Sequence, residues 1–158
     1  SHFATIAPSA ALSLIADAQG RGARLLAGGA RPALLNHGHF LEPTVLADVP
    51  DSARIMREEP FAPVAPIAGW EDFDDVIASA NSTEFGLAAY VFTESAALAA
   101  RTAEALEAGM VGINETLLAT AEAPFGGTRQ SGFGREGGSL GILDYLTPKY
   151  TRHRLSLT

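Results

Sequence analysis

Two adjacent carboxylates, Glu58 and Glu59, stand directly before the turn Pro60-Phe61-Ala62-Pro63. Paired carboxylates can serve general acid–base chemistry, but sequence neighbours rarely face the same way, so such a pair is not implied here. Taken alone, adjacent glutamates are usually solvated surface groups. A second candidate, Gly132-Phe133-Gly134-Arg135-Glu136-Gly137, matches G-x-G-x-x-G letter for letter. A dinucleotide fingerprint needs a hydrophobic strand before it and an acidic residue about 20 positions later. Here Gly127-Thr128-Arg129-Gln130-Ser131 precedes it and the chain runs on to Arg152 and His153, so the context argues against that reading. His37-x-His39 is the only close-set histidine pair and has no third ligand beside it, so no metal site is expected. The chain contains no cysteine, which excludes both a thiol nucleophile and a disulfide within these 158 residues.

The elements that must position these residues follow from periodicity and turn chemistry. Ala11, Leu12, Ile15 and Ala18 recur at helical spacing from Pro8 to about Gly22, with Ser9 as N-cap and Gly20 and Gly22 as the stop. Arg24 to Ala27 reads as a short strand. Residues 30–39 are a loop with Pro32, Asn36 and Gly38 as turn formers, and 40–49 are extended. Residues 54–59 form a charged turn. The prolines at 63 and 66 then keep 62–67 extended and bar it from a central-strand ladder. A helix is predicted over 72–81, with Phe73, Val76, Ile77 and Ala80 on one face and Asp72, Asp74 and Asp75 at its positive end. The apolar run Leu87 to Phe92 reads as a strand buried on both faces. An alanine-rich helix follows over 95–108, closed by Gly109, and Met110 to Ile113 form a further buried strand.

Strand–helix alternation predicts an α/β fold, a mostly parallel sheet with flanking helices. One domain is expected over residues 3–148, including a long glycine-rich loop over 115–138 and a short helix over 140–146. The last residues, 149–158, alternate enough for a strand with no local partner. This reads as an oligomerisation edge, with a frayed tail as the alternative.

Composition narrows the class. Hydrophobic residues make up 47% and charged residues 18%, which is globular usage and not disorder. The net charge is −7 and the basic residues are scattered, so nucleic acid is not an expected partner. No apolar stretch reaches the ~20 residues of a membrane span, and no membrane partner is expected. Without disulfides the usual argument for secretion is missing, and a cytoplasmic location is expected.

Read together, four segments carry a resemblance. They are Glu58 to Val64; Ala80-Asn81 with Phe85-Gly86-Leu87-Ala88-Ala89; Ala108 to Asn114; and Pro124-Phe125-Gly126-Gly127 followed by Ser131 to Gly137. In this order and spacing the chain resembles the C-terminal part of the catalytic domain of the aldehyde dehydrogenase superfamily, from about Ile6 to Tyr150. The wording of Met110 to Asn114, Ala123 to Gly127 and Gly141 to Tyr150 is most similar to the succinate-semialdehyde branch.

The resemblance implies an NAD(P)-dependent oxidation of an aldehyde, such as an acid semialdehyde, to the carboxylic acid. A cysteine thiolate attacks the aldehyde, hydride passes to NAD or NADP, and a glutamate activates the hydrolytic water. It implies that Glu59 hydrogen-bonds the nicotinamide ribose and that Phe61 packs beside the nicotinamide. Phe125 becomes a wall of the substrate pocket, and Thr116 to Ala123 the loop lining its entrance, with Ala119 towards the tail of the aldehyde. Two positions depart from the pattern. The family usually has glycine where Ala62 stands, and succinate-semialdehyde enzymes tend to carry serine at the position of Ala119. Losing that hydroxyl weakens the case for succinate semialdehyde itself.

By the same resemblance the nucleophile, the base and the cofactor domain belong to sequence preceding Ser1. No residue of this chain is expected to be catalytic, and the chain alone is expected to be inactive and not to bind the cofactor. A homo-oligomeric parent is expected. Three readings stay open at this point. One is a fragment of an active enzyme, favoured by the abrupt start Phe3-Ala4-Thr5-Ile6. Another is a stand-alone, non-catalytic oligomerisation module. The third is an unrelated phosphate-binding domain using the 126–138 loop.

Overall fold

The structure is a computed structural model that describes residues 8–35 and 37–154. The Phe3 to Ile6 start, the turn position Asn36 and the end of the expected terminal strand lie outside the described residues. Two compact units are present, Ser1–Val76 and Ile77–Thr158.

In the first unit, α1 spans Pro8–Gly20, β1 Arg24–Ala27, β2 Thr44–Ala47 and β3 Val64–Pro66, with a 3-10 turn at Arg54–Met56. The helix already includes Pro8, so Ser9 lies inside its first turn and does not cap it. Proline suits that first-turn position because its missing N–H would have no helical partner there. The core forms where Leu14, Ile15 and Ala18 of α1 meet Leu46 of β2 together with Val49, Ala53 and Ile55. Thr44, buried beneath it, is fully satisfied: its hydroxyl donates to the Glu42 carbonyl (2.8 Å) and accepts from the Gly29 N–H (2.9 Å). The sheet order is β1-β2-β3, with β1–β2 antiparallel and β2–β3 parallel. The proline-bearing strand β3 therefore sits at an edge, where missing donors cost no ladder bond.

The second unit contributes β4 (Phe85–Gly86), β5 (Ala88–Val91), α3 (Ala96–Ala105), β6 (Met110–Ile113), β7 (Thr128–Arg129) and a 3-10 turn at Gly141–Tyr145. Helix α2, Phe73–Ala80, spans the division between the units. Ser95 caps α3 by accepting the Leu98 N–H at 3.2 Å. The helix ends at Ala105, short of the expected 108, because Leu106 is extended and Asn81 takes over the orphaned groups. The Asn81 side chain donates to the Ala105 carbonyl (2.9 Å) and accepts the Glu107 N–H (2.9 Å). Strand β5 then pairs in parallel with β6 across the α3 crossover, and β4 pairs antiparallel with β7.

Two further expectations are corrected. There is no single, mostly parallel sheet among the described residues: three small sheets form, and two of their four pairings are parallel. The chain returns from β1 to β2 through a loop without a crossover helix, which permits an antiparallel pair. The run 87–92 is also not buried on both faces. Tyr90 is 49% and Phe92 66% exposed, because within this unit β5 pairs with β6 alone, in a two-stranded sheet too small to enclose them. Residues 149–154 are exposed and make no strand within this chain.

Candidate functional site

The two carboxylates that are neighbours in sequence meet different fates. Arg54 forks onto Glu58, its Nε donating to Oε1 and its Nη2 to Oε2, each at 2.8 Å. That charge-assisted pair holds the Glu58 carboxyl below the usual glutamate range, first through the hydrogen bonds from Arg54 and then through its charge. Glu59 is exposed, and among the described residues its carboxylate accepts no hydrogen bond. It is the member of the pair free to take a donor from elsewhere.

Local sequence forces the presentation. Glu59 and Ala62 each precede a proline and are pushed away from helical backbone, so the chain cannot continue the 54–56 turn. The segment is tied down at both ends. The Arg57 and Glu58 N–H groups donate to the Arg54 carbonyl at 2.9 and 2.8 Å, and the Thr44 N–H donates to the Pro63 carbonyl at 2.8 Å. Between these ties Phe61 takes a positive φ of 20° and stands 71% exposed. A bulky residue with φ above zero is strained by about 1–3 kcal/mol, a cost concentrated at functional turns. Ala62 is not among the positive-φ residues, so the alanine that stands where the resemblance expects glycine does not need left-handed backbone. Phe61 lines a slot of about 200 Å³ with Pro8, Ala11, His39, Phe40 and Leu41. No group of three His, Cys, Asp or Glu side chains among the described residues could hold a metal ion.

Asp17 of α1 anchors the same turn from behind. Its carboxylate accepts the Arg54 backbone N–H at 2.9 Å and the Arg21 Nε–H at 3.0 Å. Its carboxyl is lowered, chiefly by the Arg54 N–H and then by Arg21. A carboxyl lowered by folding stabilises above the ordinary carboxylate range, and the contribution is lost as pH falls through its folded value. Asp17→Asn is therefore expected to be less stable than the parent at neutral pH, with the gap closing below the ordinary carboxylate range. Urea melts of both chains across acidic pH check this; a gap that widens on acidification contradicts it.

In the second unit Phe125 and the Gly126-Gly127 segment lie by the amino ends of the parallel pair β5–β6, beside Leu87 and Gly109, whereas the loop to Ala119 leaves the carboxyl end of β6. Asn114, with φ of 52°, ends β6 and clasps Thr93 after β5: its Oδ1 accepts the Thr93 N–H and its Nδ2 donates to the Thr93 carbonyl, each at 2.9 Å. Such strand ends are where open α/β sheets bind ligands. Glu115 then turns the chain by accepting the Thr116 and Leu117 N–H groups at 2.7 and 2.8 Å, which lowers its carboxyl. The loop carrying Ala119 is held by the Gly138 N–H donating to the Ala121 carbonyl at 2.9 Å. Gly137, at φ of 69°, lies so near this loop that a Cβ would come within 2.8 Å of the Ala123 carbonyl oxygen. Phe125 exchanges two 2.7 Å backbone bonds with Glu136. It lines a cleft of about 330 Å³ with Leu87, Phe133, Arg135 and Tyr145, and Ala119 does not line that cleft.

The G-x-G-x-x-G segment is thus a folded-back brace for the backbone at Phe125, joined to it by a single antiparallel bridge, and not a strand-to-helix phosphate loop. The Arg135 guanidinium ties it down by donating to the Gly127 and Gly134 carbonyls at 2.8 and 2.7 Å. Glu59 and Phe61 belong to the first unit, Ala119 and Phe125 to the second. Residue spacing did not disclose the Asp17 hold on the Arg54 N–H or the Asn81 clasp on 105–107, since both act across a fold contact, whereas Arg54–Glu58 is a local i,i+4 pair.

A sequence profile described as the aldehyde dehydrogenase family matches residues 7–151. Glutarate-semialdehyde dehydrogenase of Pseudomonas putida (strain KT2440) is 50% identical over 136 residues, which are 86% of this chain and 28% of that protein. The Escherichia coli (strain K12) protein named succinate-semialdehyde dehydrogenase, NADP(+), GabD shows the same identity and the same coverage. Among solved structures, succinate-semialdehyde dehydrogenase from Burkholderia pseudomallei superimposes with a TM-score of 0.82 at 48% identity, over 87% of this chain and 28% of that one. The chain therefore spans little more than a quarter of the length of these relatives.

Proposed function

Because the chain belongs to the aldehyde dehydrogenase family, whose members use NAD or NADP, we propose that it supplies one wall of the active site of an NAD(P)-dependent acid-semialdehyde dehydrogenase. The reaction is the oxidation of an aldehyde by water and NAD(P)+ to the carboxylic acid, NAD(P)H and a proton. When bound, the nicotinamide accepts the hydride. In this reading Glu59 accepts hydrogen bonds from the nicotinamide ribose, and Phe61 limits where the ring can sit. The observation that carries the reading is the split fate of the two glutamates: Glu58 is consumed by Arg54 while Glu59, beside an exposed aromatic, is left with an open carboxylate. A diol needs such an acceptor, and a hydride acceptor must be held within near-attack distance.

Phe125 walls the aldehyde pocket, and the 116–123 loop, with Ala119, lines its entrance. Relatives named for glutarate and succinate semialdehydes support a short acid semialdehyde as the substrate class. The absence of a hydroxyl at Ala119 leaves the chain without one donor to the substrate carboxylate. The half-exposed apolar residues of β5 and the exposed Leu117, Ile142, Leu143 and Tyr145 suit a piece that packs against further polypeptide of the same enzyme, in a cytoplasmic homo-oligomer whose contacts include residues 149–158.

A graft tests this. Residues 8–154 replace the matching segment of the Pseudomonas putida relative, and NAD(P)H formation is followed with glutarate and succinate semialdehydes. The expected result is turnover within about tenfold of the unaltered relative. A graft that is folded and binds NAD(P)+ but does not oxidise either aldehyde overturns the proposal. The alternative, a non-catalytic module that only joins subunits, would instead give an inactive graft of normal oligomeric size.

A further inference from the structure

We propose that Arg54 is a positioning residue for coenzyme binding: it fixes the turn that presents Glu59 and Phe61, without touching the coenzyme itself. The inference rests on the reading of Glu59 and Phe61 given above and adds a residue with no place in it. Three contacts converge on Arg54. Its backbone N–H is held by Asp17, its guanidinium forks onto both oxygens of Glu58, and its Nη1 reaches the Ser13 hydroxyl at 3.4 Å. Helix α1, which is seated in the core through Leu14, Ile15 and Ala18, is thereby connected to the residue immediately before Glu59.

The energetics separate positioning from bulk stability. The Arg54 and Glu58 side chains are 46% and 52% exposed. An exposed pair of this kind adds little to global stability. A planar guanidinium gripping both carboxylate oxygens does, however, fix direction as well as distance. Glu58 is held in one orientation and the backbone of the next residue is constrained by Pro60, which narrows the region that the Glu59 carboxylate can reach. Without the fork, the turn keeps its backbone ties at Arg54 and Thr44 but loses the side-chain restraint on Glu58.

Two measurements decide it. In the 158-residue chain, Arg54→Met should speed amide exchange at Glu58 and Val64 by about tenfold while α1 and β2 amides stay unchanged. In the graft, the same change should raise the coenzyme KM by about tenfold with kcat within about twofold. Glu58→Gln should act alike, the double variant should be no worse than either single one, and Arg54→Lys should recover part of the loss. Unchanged exchange in the chain overturns the inference whatever the coenzyme does. So does an unmoved coenzyme KM in Arg54→Met when Glu59→Gln raises it. If exchange quickens but Glu59→Gln itself leaves the coenzyme KM unmoved, the coenzyme reading has failed and the inference falls with it, while the fork remains as a structural tether.

Discussion

Gly109→Val should abolish the folded second unit. A Cβ at position 109 would lie 2.0 Å from the Gly126 carbonyl oxygen, and 2.9 Å from both the Gly126 carbonyl carbon and the Gly127 Cα. All three atoms are backbone, so no side chain can rotate away. The approach is imposed by the ladder itself: the Gly109 and Met110 N–H groups donate to the Gly86 and Leu87 carbonyls at 3.0 and 3.1 Å, which draws the start of β6 against the 126–127 segment. Relieving the clash means breaking that register. A cost above about 4 kcal/mol is expected, a large part of the stability of a small domain. Hydrogen exchange at Gly109 and Met110 reports it directly. Gly20→Ala is the contrast, since nothing lies within 4 Å of a Cβ there and the residue ends α1. That change should be neutral or stabilising by up to about 1 kcal/mol. Equal losses in both variants would contradict the steric account.

The second large effect concerns turnover. The purified 158-residue chain should form no NADH or NADPH from short acid semialdehydes, at any pH from 6 to about 9. The family chemistry needs a thiolate, and no cysteine occurs anywhere in the chain. Removing a nucleophile from an otherwise complete enzyme costs about a millionfold in kcat, and in the proposed reading the base and the coenzyme cradle lie outside this chain as well. Measurable turnover that follows the chain through chromatography would sink this prediction.

Much of the architecture was legible in the residues because it depends on local rules. Helices α1 and α2 follow from apolar spacing and α3 from its alanine-rich run, whereas the Ser95 cap is seen only in the fold. The edge position of β3 follows from Pro63 and Pro66. The mixed sheet was not legible: strand direction depends on how loops return, and the 28–43 connection carries no signal that distinguishes hairpin from crossover. The exposure of β5 was also missed. An apolar strand reads the same whether its covering layer lies in the same chain or elsewhere.

The candidate site shows the same division. Glu59 and Phe61 could be singled out by motif, but which of two adjacent glutamates stays free is decided by Arg54, whose local i,i+4 pair with Glu58 is seen in the folded turn. The rejection of Gly132 to Gly137 as a phosphate loop came from its flanks, and the fold supplies the reason: the loop doubles back along Phe125 and never opens a helix. Alanine is accommodated at position 62 because the positive φ of this turn falls on Phe61.

The whole account turns on whether this segment's free glutamate meets the coenzyme. Steady-state kinetics of the graft and of its Glu59→Gln variant, with NAD(P)+ varied at saturating aldehyde, measure that most directly. The expected result is a loss of about 10- to 100-fold in kcat/KM for the coenzyme, equivalent to about 1.4–2.7 kcal/mol for one charge-assisted hydrogen-bond acceptor, while Glu104→Gln on the exposed face of α3 changes nothing. Equal coenzyme kinetics in the graft and in Glu59→Gln would contradict it.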